Sequence, residues 1–187
     1  MAAELEPDRE REREREPKPE PAAAPPAPAG PGDGLSEADL RQILRGARSI
    51  AVVGLSAEWH RPSFFAASYM QGKGYRILPV NPRYAGGQVL GMPCVARLEE
   101  LAEPVDIVDV FRKTDDVLPI ARSAIALGAR CLWQQLGVVH AQAHDEALAA
   151  GLASVMNRCV KIEHARLFGG LHWAGVNTGV ISARRPG

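Results

Sequence analysis

The chain has 187 residues, 46% hydrophobic and 24% charged, with Lys+Arg 22 against Asp+Glu 22. That length suits one domain with a tail, since domains commonly run to roughly 100–200 residues. The neutral total hides an asymmetry: residues 1–34 hold nine acidic and five basic side chains, the rest thirteen acidic and seventeen basic. A balance of about +4 in the larger part does not suggest a protein that coats nucleic acid, and it suits a site for a small anion. No apolar run reaches the ~18–20 residues needed to cross a bilayer, and the N-terminus lacks a signal peptide's apolar stretch, so neither membrane insertion nor export is expected. Cys94, Cys131 and Cys159 form no CxxC and no even framework, which fits a reducing, cytoplasmic setting.

Residues 1–34 read as a disordered tail. An Arg/Glu repeat from Arg9 to Glu16 leads into a Pro/Ala stretch, and eight of the fifteen prolines fall in this segment. Only Met1 and Leu5 are apolar and bulkier than Ala or Pro, too little to offset the entropy of ordering. A docking arm is the alternative to a solvating tail. The domain is expected to begin at residue 35, with a helix capped by Ser36, followed by Asp39, that places Leu40, Ile43 and Leu44 on one face.

Ser49-Ile50-Ala51-Val52-Val53-Gly54 is an apolar run ending in glycine, as a buried parallel strand should be. A helix over 62–71 follows, with Pro62 in its first turn, and then a strand over 75–80. Residues 83–96 are rich in turn formers (Gly86, Gly87, Gly91, Pro93), leaving room for one short strand. Beyond them are expected a brief helix over 97–101, a strand over 105–110 and a helix over 115–127 ended by Gly128. A strand over 129–133, a helix over 141–150 and a last short strand over 152–156 complete the pattern. Strand and helix alternate, so the fold class is α/β: a doubly wound, mostly parallel sheet of about five or six strands with right-handed crossovers.

Ligands of such a sheet bind beyond the carboxyl ends of its strands. The loops there carry Gly54, Ser56, Arg61, Pro62 and Ser63, then Asn81, Pro82 and Arg83, then Val110, Phe111 and Arg112, then Gln135, and last Asn157, Arg158 and Cys159. Arginines, a flat ring and amides on one edge suit an anionic, adenine-like ligand. A nicotinamide-dinucleotide fingerprint fails, because Ser56 and Trp59 replace its second and third glycines and Asn81-Pro82 replace the ribose-binding acid. No Gly-Lys-Ser/Thr closes a P-loop, and Glu58 stands where a nucleophile elbow needs glycine. Ser56 is read as a phosphate donor at the helix start, or else as a turn residue. His140 and His144 could share a helix face as metal ligands do, but two ligands make no site, and an exposed face is expected. Cys159 is read as a buried structural thiol, with a thiol activated by Arg158 as the alternative. Asp106 and Asp109 are expected to be hydrogen-bonded near the sheet ends, with a catalytic pair as the other reading.

The runs 51–56, 61–63, 79–82, 105–112, 133–138 and 155–159, in that order, resemble the bacterial CoA-binding domain proteins, stand-alone relatives of the CoA-binding domain of succinyl-CoA synthetase. The likeness covers about residues 36–164. It implies a small Rossmann-like protein that binds coenzyme A or an acyl-CoA as carrier, sensor or subunit, without clear catalysis of its own. By that resemblance Gly54 and Ser56 lie against the pyrophosphate, with Arg61, Pro62 and Ser63 completing the loop. Asn81, Pro82 and Arg83 lie by the ribose; Val110, Phe111 and Arg112 border the adenine or pantetheine; Gln135 with Asn157, Arg158 and Cys159 forms the far rim. The alternatives are an enzyme of CoA or nucleotide metabolism using Asp109 or Cys159, and an NAD-binding regulator. From about residue 165 the chain is glycine-rich, with an edge strand expected over 177–182. Whether that extension covers the site, contacts a second copy in a homo-oligomer or packs on its own sheet stays open.

Overall fold

The computed structural model describes residues 33–169. The first helix, α1 (Glu37–Gly46), starts where its cap dictates: Ser36 Oγ accepts the Asp39 N–H at 3.3 Å while the Asp39 carboxylate accepts the Ser36 N–H at 2.8 Å. Two otherwise unpaired amides of the first turn are thereby satisfied. Leu40 and Leu44, one turn apart, are buried beneath it.

The sheet strands are β1 (Ser49–Val53), β2 (Arg76–Val80), β5 (Ile107–Val110), β6 (Cys131–Gln134) and β7 (Ala153–Val155). Their order is β2-β1-β5-β6-β7 and every neighbouring pair is parallel. The remaining α-helices are α2 (Pro62–Gly72), α3 (Val117–Leu127), α4 (Ala141–Ala149) and α5 (Val160–Phe168). Helices α1, α2 and α5 bury Leu40, Met70 and Leu167 against one face of the sheet. Helices α3 and α4 bury Ala121, Ala124, Ala143 and Ala147 against the other. The alanines let this second layer approach closely. The sheet is therefore doubly wound, with a reversal of strand order between β1 and β5, where such folds open a crevice at the carboxyl ends.

Three expectations are corrected. Residues 88–93 hold two short strands, β3 (Gln88–Val89) and β4 (Met92–Pro93), paired as an antiparallel hairpin rather than one strand. Residues 160–168 form α5, although glycine-rich chain was expected from about 165; its buried positions include Glu163 and His164, polar residues that disguise the helical spacing. The boundary drawn at residue 34 also falls too late. Asp33 is buried, its Oδ2 accepting from Arg158 Nε at 2.9 Å and its Oδ1 from Arg158 Nη2 at 3.2 Å. The rest of the tail and the strand expected over 177–182 lie outside the described residues.

Candidate functional site

The switch point is bordered by the turn after β1, the turn after β2 and the turn after β5. Gly54 follows β1 there with φ +89°, a conformation that side chains with a Cβ rarely adopt. A Cβ there would lie 2.5 Å from the Phe111 carbonyl oxygen and 2.9 Å from Arg112 Cδ. The glycine is thus required by the close approach of the turns after two neighbouring parallel strands, before any ligand is considered. Gly54→Val is expected to lower the melting temperature and cost about 2 kcal/mol or more, through strain and displacement of the β5 turn. An unchanged melting temperature would refute that account. Because this variant disturbs the fold, a loss of ligand in it would not isolate a phosphate contact.

The loop from Gly54 to Arg61 is held by the hydroxyls of Ser56, Ser63 and Tyr84. Ser56 N–H donates to Ser63 Oγ at 3.1 Å, Glu58 N–H donates to Ser56 Oγ at 3.1 Å, and the Tyr84 hydroxyl stands 3.3 Å from Ser56 Oγ. Ser63 is buried in the first turn of α2, behind Pro62. Asn81 Nδ2 donates to the Leu55 carbonyl at 2.9 Å and Asn81 Oδ1 accepts the Arg83 N–H at 3.0 Å, which locks the turn after β2 to the turn after β1.

Sequence reasoning missed Glu58. Its carboxylate takes Arg61 Nε at 3.0 Å, His60 Nε2 at 3.4 Å and Arg83 Nη2 at 3.8 Å. Chiefly the Arg61 hydrogen bond, with the charges of Arg61, Arg83 and His60 behind it, holds Glu58 below the usual carboxylate range. Two of the arginines assigned to a phosphate-bearing ligand are therefore gathered on one internal anion. The third, Arg112, is exposed and lies 3.3 Å from Asp116. Trp59, next to Glu58, is 70% exposed and meets Phe65 edge-on. The sequence did carry a signal for Glu58, an acid three residues before Arg61, but nothing local brings Arg83 to it.

The far rim is occupied differently. Asn157, at φ +54°, accepts the Gly137 N–H on its Oδ1 at 2.8 Å and so joins the turns after β6 and β7. Arg158 is turned to Asp33 and, at 3.7 Å, to Glu163. Gln135 Nε2 donates to Asp109 Oδ1 at 2.6 Å, and both residues are buried. Burial pushes the Asp109 carboxyl up to about 8, against the Gln135 hydrogen bond, which alone would lower it. Val110 is buried in the core and Phe111 is half-buried against the opposite layer. Burial also pushes the Cys159 thiol up, so the activated-thiol reading loses its cause.

Asp106 and Asp109 are three apart and cannot share a strand face. Asp106 instead accepts the Arg48 and Ser49 N–H groups at 2.7 and 3.0 Å at the amino ends of the strands. Burial would raise it, but those bonds and Arg130 hold it low. Nor are the two histidines an exposed pair. His140 Nδ1 accepts the Ala143 N–H as the cap of α4, and His144 is buried with its Nδ1 2.8 Å from Ser154 Oγ. Among the described residues no cluster of three potential ligands could hold a metal, and no helix is long and apolar enough to cross a membrane.

A parallel sheet of five strands with helices packed on both faces defines an α/β, Rossmann-like domain. The family model for the CoA binding domain matches residues 48–165, more than half of the chain, and the chain belongs to that family. An uncharacterized protein of Bacillus subtilis, YneT, is 36% identical over 130 residues, which span 70% of this chain and 95% of YneT. A Thermus thermophilus protein of solved structure is 38% identical with a TM-score of 0.69, over 72% of this chain and 100% of its own. A hypothetical protein from Pyrococcus horikoshii OT3 is 35% identical with a TM-score of 0.71, over 75% and 98%. An apo acetyl-coenzyme A synthetase from Ca. Korarchaeum cryptofilum matches at 17% identity and TM-score 0.51, over 59% of this chain and 26% of its own, a likeness of fold alone.

Proposed function

We propose that this protein binds coenzyme A or an acyl-CoA across the carboxyl ends of β1, β2 and β5, as a carrier, sensor or subunit with no catalytic step of its own. The observation that carries the reading is the meeting of Arg61 and Arg83 on Glu58 just before α2, with Arg112 beside Gly54, in a member of the CoA-binding domain family. A pyrophosphate suits that position, since the first-turn amides of a helix are unpaired and its dipole favours negative charge. Gly54, Ser56 and residues 61–63 would border the pyrophosphate, and Asn81, Pro82 and Arg83 the ribose with its 3′-phosphate. Phe111 and Arg112 would flank the adenine or pantetheine, with Gln135, Asn157 and Cys159 beyond. Arg158, already paired with Asp33, would contribute through the loop it holds. Asp109 and Cys159 are not offered as reactive groups, because burial keeps both protonated near neutral pH.

The test is titration calorimetry of CoA, dephospho-CoA and NAD against the purified protein. Arg83→Ala should weaken CoA by about 1.5–3 kcal/mol and leave dephospho-CoA nearly unchanged. Equal losses for both ligands would reject the ribose placement, and a selective loss at Arg112→Ala would move the ribose one strand over. Binding of NAD but not CoA would overturn the proposal itself. Glu58→Gln should tighten CoA severalfold, because an entering phosphate must take Arg61 and Arg83 away from that carboxylate. Weaker binding in this variant would mean that Glu58 organises the arginines rather than competing for them.

A further inference from the structure

Among the described residues, nine of the twelve arginines have their guanidinium group within 4.0 Å of a carboxylate. The three that do not, Arg41, Arg45 and Arg48, follow one another along α1 and the turn into β1, at the end of the sheet opposite the crevice. Arg41 donates to the Leu167 carbonyl at 2.7 Å. Arg45 and Arg48 border a concavity of about 280 Å³ together with Lys73, and among the described residues no Asp or Glu lines it. Its remaining walls are apolar or aromatic, chiefly Leu44, Tyr75, His164 and Phe168.

These groups are arranged rather than scattered. The Arg45 guanidinium lies 5.5 Å from the centre of the Phe168 ring and Arg41 lies 5.8 Å from it. Stacking on a ring orders a guanidinium while leaving its in-plane N–H donors unused. Lys73 Nζ is 5.4 Å from the Tyr69 ring, whose hydroxyl is 3.2 Å from His164 Nδ1. Burial, and then the nearby Lys73 charge, lower the His164 pKa, which leaves that wall a neutral ring. Cations gathered without a counter-charge repel one another, and a bound anion relieves that repulsion.

We propose that this corner is a second ligand site, which takes a small anion carried on a flat ring, of the aryl phosphate or aryl carboxylate class. The aromatic walls select the ring, and Arg45, Arg48 and Lys73 take the anionic group. The volume is just under the ~300 Å³ at which pockets for drug-sized ligands begin, so one ring and its anion are what it holds. A similar concavity of about 290 Å³ beneath α1 lacks this character, because its one cation, Arg130, is paired with Asp106. Residues 170–187 contain no Asp or Glu, so the carboxylate side chains of residues 1–32 are the competitor from outside the described residues.

The proposal is independent of the CoA reading and is tested separately from it. Phenyl phosphate and benzoate are titrated into the isotope-labelled full chain, with phenol as the neutral control, and the amide resonances are followed. Saturable shifts are expected at Arg48, Lys73 and Gly74, absent with phenol and unaffected by saturating CoA. Arg45→Gln combined with Lys73→Gln should weaken phenyl phosphate by about tenfold or more while leaving the melting temperature and CoA affinity in place. Shifts centred on residues 54–61, displacement by CoA, or equal affinity in the double variant would each overturn the proposal. Binding that appears only after residues 1–31 are removed would also overturn it, by showing that the chain's own acidic segment fills the corner.

Discussion

Asp33→Ala is expected to cost about 3 kcal/mol or more of folding stability, although the residue lies outside every predicted element. Its side chain is fully buried and takes two bonds from Arg158, whose own side chain is only 16% exposed. The same carboxylate accepts the Met156 N–H at 3.3 Å and the Leu35 N–H at 3.2 Å. Removing it strands a nearly buried guanidinium and two amides, and the 3.7 Å contact with Glu163 recovers only part of the loss. Removing residues 1–31 should leave stability unchanged, whereas removing residues 1–33 should reproduce the Asp33→Ala loss. Urea unfolding with an unchanged m-value measures both. A fall no larger than that of an exposed substitution would show that the pair contributes nothing.

The second large effect is a pH dependence that Asp109 imposes and Asp109→Asn removes. Burial raises the folded-state pKa to about 8, against an ordinary aspartate value near 3.8 in the unfolded chain. Between those values the unfolded chain releases a proton that the folded protein retains, so this group's contribution is full below about pH 4 and is lost as pH rises toward 8. Wild type should lose about 1.4 kcal/mol per pH unit across that window relative to Asp109→Asn. At pH 7 the neutral amide, still able to accept from Gln135, should be the more stable protein. Parallel stability curves for the two from pH 5 to 7.5 would refute a neutral buried carboxyl.

Much of the fold was legible because its signals are local. Ser36 and Asp39 announce the start of α1 three residues apart, within reach of each other whatever the rest of the chain does. Gly128 announces the end of α3, which it closes at φ +76°. The run from Ser49 to Val53 is buried at every position, as an apolar run without alternation requires. Helix α5 escaped notice because Glu163 and His164 occupy buried positions, satisfied by Arg166 and Tyr69 from their polar ends.

The candidate site was legible only in outline. That its residues stand after strands follows from the alternation of elements; which of them meet does not. Sequence by itself determined the five strands of the main sheet, helices α1 to α4, the fold class and the set of turns at the carboxyl ends of the strands. Tertiary structure alone decided that Gly54 makes room for the Phe111 carbonyl, that Glu58 gathers Arg61 and Arg83, that Arg158 turns to Asp33, and that the guanidinium groups of Arg41, Arg45 and Arg48 meet no carboxylate among the described residues. The reason is physical: helix caps and strand runs depend on neighbours within about four residues. Charge pairing depends on the order in which strands lie side by side, and that order is set by how whole layers pack.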